Sequence, residues 1–310
     1  MEIAGINIVV LIAALMVASV PILLAAIGEL VVEKAGVLNL GVEGMMIMGA
    51  ICGFATAVGT GSPYLGFVGG ALGGAALSFV FAFLTQFMLA NQVATGLALT
   101  LFGLGLSSLI GQGYGGQKPP AMGAVNFGPL ADLPVIGRIL FSHDLIVYVS
   151  IFAVAMVAWF FKKTRGGLIL KAVGENHDAA HALGYKVRRI RVLAILFGGA
   201  MAGMGGAYIS IVRVPQWTDG ITAGAGWIAL AIVVFASWKP WRALVGAYLF
   251  GGITVLQLNL QAAGSWLPVQ YLSMSPYVIT ILVLVIISAD RTRAALNAPA
   301  SLGKNFQASR

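Results

Sequence analysis

Nine apolar stretches separated by short polar links organise the chain: 7–28, 42–60, 64–90, 93–113, 144–161, 192–212, 223–238, 243–262 and 276–289. Most approach the roughly 20 residues with which a helix crosses a hydrocarbon layer. The last is short and has an alternative start near Leu272. Short or glycine-interrupted stretches are alternatively re-entrant. The pattern predicts an all-α polytopic membrane protein with about nine transmembrane helices, eight to ten at the limits, in one transmembrane domain over 1–310.

Composition narrows the classes. Of 310 residues, 59% are hydrophobic and 9% charged, against roughly 25% charged in soluble domains. Mean hydropathy is +0.96. So few polar residues cannot cover a water-facing globule, which excludes a soluble enzyme, a nucleic-acid module and a disordered chain. The net charge of +8 is therefore read as topology. Segment 162–191 holds Lys162, Lys163, Arg165, Lys171, Lys186, Arg188, Arg189 and Arg191 against only Glu175 and Asp178. The positive-inside rule places it in the cytoplasm. Counting spans from there puts 15 of the 18 basic residues inside, including Lys34, Lys239, Arg242 and a tail with Arg291, Arg293, Lys304 and Arg310. Lys118, Arg138 and Arg213 fall outside, with Met1. A ten-span chain with an extra N-terminal pass keeps the later loops correct. The N-terminus has Glu2 and no basic residue before the first span, which is therefore expected to be retained.

Chemistry is sparse. A single cysteine, Cys52, allows no internal disulfide and reads as a small packing residue. Gly66, Gly70 and Gly74, and likewise Gly199 and Gly203, recur every four residues and let helices approach closely within one bundle. His177 and His181 have the spacing of a zinc pair but no third ligand, so no metal site is expected. No phosphate-binding loop is present, so the chain does not hydrolyse ATP by that route. Glu29, Glu33 and Glu43 lie near the ends of the first two spans, and spans three to nine carry no interior acidic residue. That speaks against a proton-coupled carrier and leaves sodium coupling through carbonyls open.

Two links stand out. In Gly174–Gly184, Asn176 is a suitable N-cap, Asp178 complements the helix dipole and Gly184 suits a left-handed stop. The implied helix, 177–183, is about 10 Å long. Ala179, Ala180 and Leu183 form a small apolar face, sized to dock into a groove on a partner; the alternative is an ordinary helical turn. The basic run after it meets lipid headgroups. In Gly28–Gly44, polar residues and glycines join two spans, as a broken element beside a pathway or as a plain turn. Asn39 and Glu43 are four apart there. The Pro/Gly-rich loop 114–143 ends in an apolar stretch, 133–141, expected at the outer interface.

These motifs carry a resemblance. Gly28-Glu-Leu…Glu33-Lys-Ala-Gly-Val-Leu-Asn-Leu-Gly-Val-Glu-Gly-Met-Met46 is one, and Phe127-Gly-Pro-Leu-Ala-Asp-Leu-Pro-Val-Ile-Gly137 another. Val173-Gly-Glu-Asn…Ala179-Ala…Leu183-Gly-Tyr…Arg188…Arg191 and Thr222-Ala-Gly-Ala-Gly-Trp-Ile-Ala-Leu230 follow. The chain resembles, from about residue 10 to 290, permease subunits of bacterial ABC importers for simple sugars, nucleosides and branched-chain amino acids. The outer loop and the Gly-Trp-Ile-Ala-Leu stretch are similar to the shorter permease of nucleoside importers served by basic-membrane-protein-type lipoproteins. Arg138 departs from the small residue or proline expected there.

The resemblance implies an ABC importer permease fold in the bacterial inner membrane, with a cytoplasmic C-terminus and nucleosides as cargo. The implied partners are a second permease, an ATP-binding subunit and an extracytoplasmic substrate-binding lipoprotein, besides membrane lipid and without nucleic acid. The chain would be non-catalytic and bind no cofactor, ATP and Mg residing on the ATPase. Segment 162–191 becomes the coupling loop, with Gly174, Glu175, Asn176, Asp178, Ala179, Ala180, Leu183 and Gly184 meeting the ATPase. Asn39, Glu43 and Trp227 are the pathway candidates, Trp227 serving equally well as packing or an interface anchor. The alternatives are a simple-sugar or branched-chain amino acid permease, an ion-coupled secondary carrier, and a membrane scaffold without transport.

Overall fold

The computed structural model describes residues 2–3, 6–131, 133–262, 268–288 and 297–307. Met1, Asp132, Arg291, Arg293 and Arg310, named above, lie outside the described residues. After a short antiparallel ladder, β1 (Glu2–Ile3) with β2 (Ile6–Asn7), every other regular element among the described residues is helical. The first helix, α1 (Ile8–Lys34), is about 40 Å long at 1.5 Å per residue and is the central post of the bundle. Each residue from Ala18 to Glu33 is buried. Next come α2 (Val42–Thr60), α3 (Pro63–Ala82), prolonged by a π-helical turn over Phe83–Phe87, and α4 (Gln92–Gly111). The link 115–144 contains the five-residue α5 (Ile136–Leu140), within the stretch read as an outer interfacial element.

Polar caps start the following helices. Asp144 accepts from the Ile146 and Val147 amides at the head of α6 (Leu145–Lys163), and Thr164 from Gly167 at the head of α7 (Arg165–Glu175). Asn176 accepts from Ala179 at the head of α8 (His177–Ala182). Then follow α9 (Val187–Tyr208), continued by a π-helical turn Ile209–Arg213, α10 (Ala225–Phe235), α11 (Pro240–Ala262) and α12 (Val269–Ser288).

Among the described residues, seven helices are long and apolar enough to cross a membrane: α1, α2, α3 and α4 with their terminal turns, α6, α9 with its π turn, and α11. The ninth apolar stretch belongs to α12, 20 residues long and starting seven residues earlier than the 276 boundary. The seventh stretch, 223–238, needs correction as a full pass. It holds the 11-residue α10, about 16 Å long, roughly half a hydrocarbon layer. Its ends are sharply turned. Ala223 (φ 47°) and Gly224 (φ 83°) precede it, and Ser237 (φ 49°) and Trp238 (φ 55°) follow. Left-handed backbone costs a non-glycine residue about 1–2 kcal/mol, so tertiary contacts hold this helix short.

The periodic glycines pack helices inside this one chain. A Cβ on Gly70 would lie 2.6 Å from the Ala207 Cβ and 3.1 Å from the Gly203 carbonyl oxygen. One on Gly203 would lie 3.0 Å from the Gly74 Cα. So α2, α3 and α9 touch almost backbone to backbone, the small-residue packing read from the spacing.

Candidate functional site

Two irregular segments meet halfway along α4. The α1–α2 link climbs beside that helix from its first turn. The Leu38 amide donates to Gln92 Oε1 at 2.8 Å, the Thr100 hydroxyl to the Leu40 carbonyl at 3.2 Å, and Gly44 lies against Leu99 and Thr100. Helix α2 therefore begins near mid-depth. Asn39 steers the link: its Nδ2 donates to Glu29 Oε2 at 3.3 Å, and its Oδ1 accepts from the Gly41 amide at 2.9 Å.

Glu43, on the first turn of α2, receives the other segment. Its Oε1 accepts from the Thr222 hydroxyl at 2.6 Å and the Gly224 amide at 3.0 Å, and its Oε2 from the Gly226 amide at 2.6 Å. A side-chain carboxylate thus caps the free amides at the start of α10 and faces the positive end of its dipole. Gly226 permits that approach, since a Cβ there would stand 2.5 Å from the Glu43 Cα. At the other end of α10 the Trp238 indole Nε1 donates to Glu33 Oε2 at 2.5 Å, one residue before Lys34. The short helix accordingly runs from mid-depth to the Lys/Arg-rich end of the bundle.

The residues feeding α10, 214–224, are non-helical, and Gln216, Thr218, Asp219 and Ala223 among them are exposed. Irregular polar backbone at membrane depth persists only when buried in protein or lining a water-filled space. Of the three pathway candidates, Asn39 and Glu43 are 0% and 4% exposed, with their polar atoms engaged inside the chain. Trp227, beside the α10 start, is 38% exposed.

The second assembly is at the basic end. The coupling candidates fall on the end of α7 and on α8, with the N-cap at Asn176 as read from sequence and Gly184 at φ 86°. The apolar face is split, which corrects the reading of three residues side by side. Ala180 is 2% exposed and packs inward with Val173, Val187 and Phe306. Leu183 is 77% exposed and Ala179 is also exposed, as are Glu175, Asn176, Asp178 and Gly184. On a six-residue helix, His177 and Ala180, three apart, form the anchoring side. Gly174 is buried, and its carbonyl accepts from the Ser301 amide at 2.9 Å.

Sequence reasoning missed what lies beneath α8. Residues 297–307 pass under the coupling segment and pin it to the bundle. Asn297 accepts from Lys34 Nζ at 2.7 Å, and the Lys304 carbonyl accepts from Arg191 at 2.9 Å. Asn305 donates to the Leu89 carbonyl at 2.7 Å and accepts from Gln92 at 3.1 Å. The Phe306 ring packs edge-on against both His177 and His181. Arg191 also reaches the Ala35 carbonyl and lies 3.1 Å from His177 Nδ1. Burial and the Arg191 charge push the His177 pKa below the usual imidazole value, with Asp178 opposing. Also missed was α7; its signal was Thr164 ahead of two glycines at a helix start. Among the described residues no cluster of three or more His, Cys, Asp or Glu side chains is placed to hold a metal.

Residues 11–287 match the family described as "Branched-chain amino acid transport system / permease component", and the chain belongs to that family. A provisionally assigned glucose ABC transporter permease of Haloferax volcanii is 39% identical, over 93% of this chain and 94% of that protein. The guanosine ABC transporter permease of Bacillus subtilis is 32% identical, over 89% and 91%. The nucleoside ABC transporter permease of Lactococcus lactis is 33% identical, over 89% and 92%. In fold, the chain is similar to an ABC transporter provisionally assigned to the metal-chelate type and solved in an inward-facing conformation. That likeness has a TM-score of 0.50 at 17% identity, over 89% of this chain and 84% of that one. The protein is thus a multi-pass permease subunit of an ABC transporter, a transport component separate from the ATP-hydrolysing subunit.

Proposed function

We propose that the chain forms one side of the translocation pathway of an ATP-driven nucleoside importer. The observation that carries this reading is the exposed, irregular segment 214–224, which leaves the far end of α9, packs Trp217 against Gly111 at the end of α4, and descends to a short helix whose start is held near mid-depth by Glu43. Discontinuous helices of this kind border substrate sites near the bilayer midplane. Asn39 and Glu43 then shape the pathway from behind, while Trp227 and the exposed residues of 214–224 face it. A second permease covers the other side, and a binding lipoprotein delivers the cargo. The basic end, with the C-terminal segment, faces the cytoplasm of a bacterial inner membrane.

Charge bears on the cargo. A free helix start at mid-depth attracts anionic groups. Here Glu43 already occupies those amides, so the α10 start offers no seat for a carboxylate. That favours a neutral polar cargo, such as a nucleoside or simple sugar, over a branched-chain amino acid. Two relatives named for guanosine and nucleosides support the nucleoside reading. The 39% relative assigned to glucose favours simple sugars as the second reading.

In the proposed cycle, the α7–α8 segment docks on the ATPase through Ala179 and Leu183. ATP and Mg are held there, not on this chain. Closure of the ATPase pair moves α8, and the bundle rocks to the alternate-facing state. ATP drives the shift to the extent that it binds the closed state more tightly. Uptake of labelled nucleosides, with and without an ATP-dead partner ATPase, tests this. The expected result is uptake abolished in the ATP-dead strain and competed by other nucleosides but not by leucine. Competition by glucose alone would move the cargo to sugars, and uptake surviving the ATP-dead partner would overturn the ABC reading in favour of a secondary carrier.

A further inference from the structure

An open groove of about 550 Å³ lies between α6, α7 and α9, with Val31 of α1 among its walls. Met156, Trp159, Phe160, Ile169 and Leu193 make it almost wholly apolar, and Tyr185 closes its basic end. Trp159 and Leu193 are 59% and 67% exposed. The groove is built for a chain of methylenes. Its mouth is cationic by helical spacing. Lys163 follows Trp159 by four residues and Met156 by seven; Arg165 precedes Ile169 by four; Lys186 precedes Ile190 by four and Leu193 by seven. All three cations are exposed. Tyr185 and Trp159 are of the type that settles at the boundary between hydrocarbon and headgroups.

We infer that this groove is a binding site for one anionic phospholipid of the leaflet at the basic end. An acyl chain lies between α6 and α9, and the headgroup phosphate lies among Lys163, Arg165 and Lys186. Basic pockets between spanning helices select anionic headgroups. Charge opposes a symmetric pairing of two copies through this groove, because each would bring its set of cations to the same mouth. The other permease is expected elsewhere: Val31 of α1 lines the groove, while Glu33, two residues on and so on the opposite face of α1, holds Trp238 at the end of α10. The lipid would brace α7, and through it the α8 segment, without touching the pathway.

The test uses the assembled transporter in nanodiscs of phosphatidylethanolamine with photoreactive phosphatidylglycerol, labelled sites being mapped by peptide mass spectrometry. Labelling should concentrate on α6, α7 and the first half of α9, and be competed by unlabelled phosphatidylglycerol but not by phosphatidylcholine. The triple variant K163Q/R165Q/K186Q should weaken labelling there by about fivefold per lost cation. Leu193→Trp, which fills the groove and keeps the charges, should reduce it as well. Labels spread evenly over the outward helices, or unchanged labelling in both variants, would overturn the proposal. So would cross-linking of Leu193→Cys to the other permease subunit. An assembly check by co-purification with the ATPase separates loss of the lipid from loss of the fold.

Discussion

Glu43 gathers three donors from the segment that starts α10, so its loss orphans them together. Each buried donor left unpaired costs about 1–3 kcal/mol. Glu43→Gln turns one acceptor into a donor facing the same amides. It should lower the melting temperature of the purified transporter and cut uptake at least tenfold while membrane insertion persists. Wild-type uptake in that variant would show that the α10 start does not need its cap. Gly226→Ala tests the same contact from the other side, because its methyl would press on the Glu43 backbone. The expectation is lost uptake, with Ala225→Gly, one residue away, much milder. The sequence marked Glu43 and the run 222–230 separately, but nothing in their spacing paired them. They lie 179 residues apart from Glu43 to Thr222, and only the fold joins them.

At the scale of elements, the short α8 was legible because its signals are local: an N-cap, an acidic first turn and a left-handed glycine. Which side of it faces out was not, since that depends on residues 297–307, more than a hundred positions away. Leu183→Glu should keep the chain in the membrane and sharply lower substrate-stimulated ATP hydrolysis. Ala180→Arg, by contrast, puts a charge into a buried contact and should loosen the loop, seen as faster tryptic cleavage at Arg188 and Arg189. Equal effects of the two on proteolysis would refute the split face. His177 adds a pH dependence. Its pKa is lowered in the folded protein, so the unfolded segment takes up a proton first as pH falls below about 6.5. Protection of the α8 amides from hydrogen exchange should therefore be full above that pH and decline below it. His177→Gln should flatten the profile; an unchanged decline in that variant would assign it elsewhere.

For the molecule as a whole, hydropathy gave the class and most of the spanning helices, because lipid imposes length and composition on each span alone. It failed at 223–238. Ala225–Phe235 is as apolar as a full pass, yet its left-handed ends and the Glu43 cap stop it at half depth. Residues 297–307 were invisible for a similar reason, as a polar tail carries no periodic signal. Removing residues 297–310 should leave insertion intact and weaken ATPase coupling, because α8 loses the segment 297–307 beneath it; unchanged coupling would make that segment passive.

The claim that joins these levels is that segment 214–224 borders the substrate path. The single cysteine makes it testable: Cys52→Ala clears the background, and cysteines are placed one at a time at Gln216, Thr218, Asp219 and Trp227 in the assembled transporter. Membrane-impermeant thiol reagents should modify these positions, and a transported nucleoside should slow the reaction at Thr218 and Trp227. Inert thiols, or labelling indifferent to substrate at all four positions, would contradict the account.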